Sequence, residues 1–128
     1  MGKNNILKVD EEIFLKKLEE ADAEIYFDLI TKNRDYLKNA IFFDAFLRDL
    51  RSQIFYINSL HRYGFINNFL INYNGIFVGS MELHSYDKIN NEIELGYWID
   101  EDFQNKKIIT RCCNKMIDYT FKIGRAHV

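Results

Sequence analysis

The spacing of hydrophobic and polar positions changes twice along the chain. Glu12–Leu18 (EIFLKKL) is short and apolar enough for a first strand, and it runs into the acidic stretch Glu19–Asp22. Acidic residues there complement the positive end of a following helix. From Ala23 the apolar residues Ile25, Tyr26, Leu29 and Ile30 recur at helical spacing and predict a helix to about Lys32. Phe46, Leu47, Leu50, Ile54, Ile57 and Leu60 repeat that spacing, and Gly64 ends a second helix.

After Gly64 the period shortens to that of a strand. Ile66–Tyr73, Asn74-Gly75 and Ile76–His84 read as a hairpin, because Asn-Gly supplies the positive φ values of a tight two-residue turn. Tyr86–Asn91 is polar and turn-like, and Glu92–Asp100 (EIELGYWID) alternates as a further strand, which completes a three-stranded meander. Beyond Asp102 the residues Ile109, Cys112, Cys113, Met116, Ile117, Thr120 and Phe121 form one stripe of an amphipathic helix that must pack on the sheet. The order β-α-α-β-β-β-α, with no internal repeat or linker, predicts an α+β domain with a mainly antiparallel sheet.

Composition narrows the function classes. The 128 residues suit one small domain, and 48% hydrophobic against 28% charged residues is enough to bury a core. A formal charge of −2 provides no basic track for a phosphate backbone, so nucleic acid is not an expected partner. No apolar run reaches the roughly 18 to 20 residues of a membrane span, and the start MGKNNILKVDEE has no signal-peptide core, so a cytoplasmic location is expected. Cys112 and Cys113 are adjacent and lack partner spacing for a disulfide or zinc, which points to a reducing compartment and no metal site. The absence of proline, together with abundant Ile, Asn and Lys, reads as the codon bias of an AT-rich genome.

The candidate chemistry lies between Glu92 and Thr120. A strand ending in Tyr97-Trp98-Ile99 passes through a short acidic turn into Gln104-Asn105-Lys106-Lys107-Ile108-Ile109-Thr110 and directly into a helix. Such a junction leaves free backbone N–H groups at the helix start, and these bind phosphate. The run Glu94-Leu95-Gly96-Tyr97-Trp98-Ile99, then Phe103-Gln104, Lys106, Ile108 and Thr110, resembles motif A of the GNAT acyltransferases. Within them it most resembles the branch that acetylates ribosomal-protein N-termini (RimJ/RimL-like). Leu15–Glu19 with Asp22-Ala23, Asn33–Leu37, and Val78-Gly79 with Leu83-His84 extend the resemblance from about Ile13 to Phe121.

The resemblance implies acetyl-CoA as co-substrate and a primary amine, either a protein N-terminus or a small amine, as acceptor. Backbone groups of Tyr97, Trp98 and Ile99 are implied to hold the pantetheine arm, and the amides of Gln104, Asn105, Lys106, Lys107, Ile108, Ile109 and Thr110 the diphosphate. Gly96 suits a bulge that splays the strand. Glu94 is implied as the proton acceptor, directly or through water. Glu82 and His84 share a strand face by the period-two rule, and His84 is the candidate acceptor-site residue, against a plain structural histidine. Asp87, Asp100, Glu101 and Asp102 read as a solvated acidic rim. Cys112 and Cys113 read as packing residues with nothing to activate a thiol.

Three departures from the family pattern stand out. Glycine is usual at the positions of Asn105 and Lys107, where a backbone without Cβ approaches phosphate closely. Asn105 tolerates positive φ, whereas Lys107 either clashes with the diphosphate or folds outward and adds attraction. Ala40 stands where the branch has tryptophan near the acceptor. The family's domain also continues past the motif helix with strands and a helix that carries the catalytic acid. Residues 1–122 are therefore expected to be a partial GNAT domain, lacking the C-terminal strands and helix, and inactive as a fragment. Ile123-Gly124-Arg125-Ala126-His127-Val128 reads as one frame of a sequencing-library adapter and so as a non-native tail. The alternative is a family-like G-x-x-[RH]-V that opens the next strand. An uncovered sheet edge would favour a homodimer. The other functional readings are polyamine or aminoglycoside acetylation, and a non-catalytic CoA-binding or interaction module.

Overall fold

Alternation along the middle of the chain produces one antiparallel sheet with helices on both faces. The structure is a computed structural model that describes residues 6–37, 68–87, 89, 90 and 92–126, with the backbone alone at 84–87 and 121–126. The strands are β1 (Ile6–Lys8), β2 (Ile13–Lys17), β3 (Asn68–Tyr73), β4 (Ile76–Asp87) and β5 (Glu92–Ile99), and they lie in the sheet in chain order. The helices are α1 (Ala23–Lys32), the short α2 (Arg34–Leu37) and α3 (Ile108–Ala126). The second helix expected around Phe46–Leu60, with Gly64 and Ala40, lies outside the described residues.

Period-two alternation sends neighbouring residues to opposite faces of the sheet, so two cores form. Ile13, Leu15, Phe69, Ile71, Met81 and Ile99 pack against Ile108, Cys112 and Met116 of α3. Leu70 and Trp98 point the other way, onto Tyr26, Leu29 and Ile30 of α1 and Leu37 of α2. The central strand β3 is buried from Asn68 to Asn72, as a strand covered on both faces must be.

The expected bounds of α1 hold to the residue, and the β3–β4 hairpin turns on Asn74 (φ 51°) and Gly75 (φ 91°), both left-handed. Four expectations are corrected. A short edge strand, β1, precedes the expected first one and pairs with it, Leu7 opposite Leu15. Strand β4 extends to Asp87, which shortens the expected polar turn. The bulge beside β5 lies in β4: Gly96 is paired opposite Glu82, and the register shifts between Leu83 and Ser85. That extra residue, His84, breaks the period-two argument that placed it on the face of Glu82. Finally, α3 continues through Lys122 to Ala126, so the backbone at 123–126 is helical, not the start of a strand.

Candidate functional site: the junction of β5 and α3

Strand β5 is the last in the sheet, and among the described residues nothing pairs with its outer edge. Which of its groups face that edge follows from one hydrogen bond, Asp100 N–H to the Val78 carbonyl at 2.7 Å. In an antiparallel pair, alternate residues exchange both backbone bonds with the partner strand. Trp98, opposite Ser80, therefore has its backbone turned to β4, and Tyr97 and Ile99 turn theirs to the open edge. Of the three strand residues expected to offer backbone groups, Trp98 is the exception, and its ring is buried in the α1-side core. Tyr97 is 52% exposed.

Close packing of β4 on β5 is set by Gly79. A Cβ built there would lie 2.3 Å from the Trp98 carbonyl oxygen, so only glycine lets the two backbones approach this closely.

Beyond β5 the chain makes a single 3-10 turn at Glu101–Phe103 and reaches α3 through Gln104–Lys107. Asn105 has φ 68° and Lys107 φ 59°. Both positions where the family has glycine thus adopt the left-handed backbone that glycine favours. The Lys107 carbonyl accepts the Arg111 N–H at 3.1 Å and so opens the helical ladder. The N–H groups of Ile108, Ile109 and Thr110 have no hydrogen-bond acceptor among the described residues, which is the orphan-donor condition of a helix start. These residues, with Ile99, Phe103, Gln104, Asn105 and Lys107, line a recess of about 290 Å³. Lys107, in that lining, and the adjacent Lys106, outside it, are exposed, and the helix dipole adds positive potential at the same end. Lys107 is therefore an exposed member of the recess lining and is not packed into the core.

Glu94 is exposed on β5, on the same face of the strand as Trp98 by alternation. The backbone of His84 is the bulge residue of β4, and its side chain, like that of Asp87, lies outside the described residues. Glu101 and Asp102 are exposed as expected, but Asp100 is not part of a solvated rim: its side chain is only 3% exposed and lies 2.7 Å from Lys32 Nζ. Burial pushes its carboxyl up, yet hydrogen bonds from Lys32, the Asp102 N–H and Asn33 outweigh this and hold it below the ordinary carboxylate value. No sequence pattern tied Lys32 or Asn33 to this turn, since their contacts with it span 68 positions.

Cys112 is buried in the α3-side core, and burial first, then the neighbouring Cys113, push its thiol up to about 12. A protonated, buried sulfur is a packing group. Among the described residues no cluster of His, Cys, Asp or Glu is arranged to hold a metal, and no helix is long and apolar enough to cross a membrane.

Comparison with known proteins places the chain in a family and its fold among solved structures. YdaF of Bacillus subtilis (strain 168), which carries the provisional name of a ribosomal N-acetyltransferase, is 33% identical over 126 residues, covering 90% of this chain and 65% of that protein. The ribosomal-protein-serine acetyltransferase of Escherichia coli (strain K12) is 26% identical over 121 residues, covering 92% of this chain and 68% of that one. The crystal structure of the microcin C7 self-immunity acetyltransferase MccE in complex with acetyl-CoA and AMP superposes with a TM-score of 0.77 at 24% identity, over 90% of this chain and 66% of that one. The chain thus spans about two thirds of the length of these proteins. The family described as acetyltransferase (GNAT) domain matches residues 12–128, and the chain belongs to that family.

Proposed function

We propose that the chain forms the acetyl-CoA-binding part of an N-acetyltransferase whose acceptor is a primary amine, with a ribosomal-protein N-terminus favoured over a small amine. One observation carries this reading. Three N–H groups at the start of α3 that have no acceptor among the described residues follow a loop with left-handed Asn105 and Lys107 and lie next to a strand edge that no described residue covers, which suits a diphosphate joined to an extended amide-bearing arm. In this reading Ile108, Ile109 and Thr110 donate to the diphosphate, with Gln104, Asn105, Lys106 and Lys107 shaping and charging the loop. Tyr97 and Ile99 pair with the arm. The ribosomal acceptor rests on the names of the two relatives. The free thiols Cys112 and Cys113 suit a reducing, cytoplasmic setting.

The chemistry is direct transfer. The neutral amine forms a C–N bond to the thioester carbonyl carbon, the C–S bond breaks, the surplus amine proton leaves to a base, and the thiolate takes up a proton. Glu94 is the proposed base, directly or through one water, and His84 lines the acceptor side. The proposed source of the acid is the part of the relatives that this chain does not match. Pairing of two copies through the outer edge of β5 is the competing use of the same backbone groups, and CoA is expected to dissolve such a dimer.

Calorimetric titration of the purified chain with CoA tests the core of the proposal. Saturable one-site binding is expected, and Glu94→Gln should leave it unchanged. Absence of binding at millimolar CoA would defeat the donor assignment. In a longer chain covering the full length of the relatives, Glu94→Gln is expected to lower kcat roughly 10²- to 10⁴-fold with little change in the KM for acetyl-CoA, assayed on a peptide with a free N-terminal serine.

A further inference from the structure

We propose that Lys32 and Asn33, at the C-terminal end of α1, are positioning residues that clamp the donor-binding loop in its productive shape. The inference rests on the donor-binding reading and extends it to an element that makes no part of the loop. Lys32 Nζ reaches Asp100 Oδ2 at 2.7 Å and Asp102 Oδ2 at 2.9 Å. Asn33 is buried: its Nδ2 donates to the Leu29 carbonyl at 3.0 Å, which fixes the side chain, and its Oδ1 accepts the Glu101 N–H at 3.1 Å. Asp100 Oδ1 in turn accepts the Asp102 N–H at 2.8 Å. Residues 100, 101 and 102 are therefore each tied to α1 by one of two adjacent residues.

The other face of the turn is held independently. Phe103 packs on the α3-side core and meets the Tyr73 ring edge-on, with centroids 6.0 Å apart. Loop residues Asn105 and Lys107 sit in left-handed conformations, tolerated by asparagine and unfavourable for lysine, so the surrounding structure must hold Lys107 there. The clamp fixes the entry to that loop, and α3 fixes its exit. A loop held at both ends presents its amides without having to be ordered when the donor arrives, which lowers the entropic cost of binding.

Binding of CoA, of 3′,5′-ADP and of pantetheine to the 128-residue chain provides the test, with thermal denaturation of each variant alongside. Lys32→Ala is expected to weaken CoA roughly tenfold and Asn33→Ala roughly fivefold. Lys32→Arg should recover affinity to within about twofold, because the guanidinium restores the charge and both hydrogen bonds. Pantetheine lacks the diphosphate and should bind Lys32→Ala and the unaltered chain alike, a split that general destabilisation would not produce. Lys16→Ala serves as control: it removes the ion pairs to Asp22 and Glu19 that brace the turn before the start of α1, none of them to a residue of the clamp or the loop, and should keep CoA affinity. Unchanged CoA affinity in both Lys32→Ala and Asn33→Ala would overturn the clamp. An unaltered chain that fails to bind CoA would overturn the donor reading itself, and the clamp with it.

Discussion

Lys107 is the residue on which the proposed donor site turns. Its φ of 59° is a glycine-like backbone on a residue that must carry a Cβ, so Lys107→Gly should relieve left-handed strain and offset part of that gain with the extra chain entropy of glycine. A net rise of about 0.5–1 kcal/mol in unfolding free energy is expected by urea denaturation. CoA affinity should stay within about fivefold, but its dependence on salt should weaken because one exposed ammonium is gone. Lys107→Val puts a β-branched side chain where positive φ is least tolerated, and should cost about 1–2 kcal/mol of stability and roughly tenfold in CoA binding. Wild-type affinity in Lys107→Val would mean that the left-handed geometry is not required. Sequence inspection could single out this position as a departure from glycine, because identity alone shows that. It could not decide between a clash and an outward lysine, since φ is set by how the loop is tethered at both ends and not by the residue in it.

At the scale of elements, the local ones were legible and the contacts between them were not. The bounds of α1 and the Asn74-Gly75 turn follow from spacing and turn chemistry within a few residues. Strand β1 is three residues long and is held by its pairing with β2, so it has too little alternation of its own to be read. The His84 bulge and the burial of Asp100 depend on what lies across the sheet and 68 residues back in the chain. The Asp100–Lys32 contact also makes the junction sensitive to pH. The Asp100 carboxyl is held below its ordinary 3.8, so its contribution to stability is present above that value and is lost as pH falls through the lower folded value. Lys32 is raised above its ordinary 10.5, chiefly by the hydrogen bonds its ammonium donates to Asp100 and then to Asp102, so its share is complete below 10.5 and is lost as pH climbs past the raised value. Removing Lys32 leaves burial as the largest influence on Asp100, and burial raises a carboxyl. Lys32→Ala should therefore unfold at a higher pH than the unaltered chain on the acid side, followed by circular dichroism from pH 7 downward. Coincident acid transitions would show that Lys32 does not control the Asp100 carboxyl.

The molecule as a whole brings two unlike half-sites to one end of the sheet. One is the outer edge of β5 at Tyr97 and Ile99, a hydrogen-bonding strip with no charge of its own. The other is the start of α3, an open recess with Lys107 in its lining and three N–H groups that have no acceptor among the described residues. Neither alone is selective, because any extended peptide can pair with an edge and any small anion can seat on a helix start. Their juxtaposition discriminates, since it rewards a ligand that carries an amide-bearing arm and a diphosphate on one covalent frame. The expected signature is avidity. Pantetheine and 3′,5′-ADP should each bind weakly, and CoA should bind roughly 10²- to 10⁴-fold more tightly than the better of the two, because joining the pieces turns the second contact into an intramolecular one. Calorimetry with the three ligands measures this directly. Thermal denaturation checks it independently, since CoA at about 100 times its Kd should add about 2.7 kcal/mol of stability. If CoA binds no better than 3′,5′-ADP, the strand edge contributes nothing and the chain is an anion site at a helix start. If it binds no better than pantetheine, the amides of Ile108 to Thr110 are not what holds the donor.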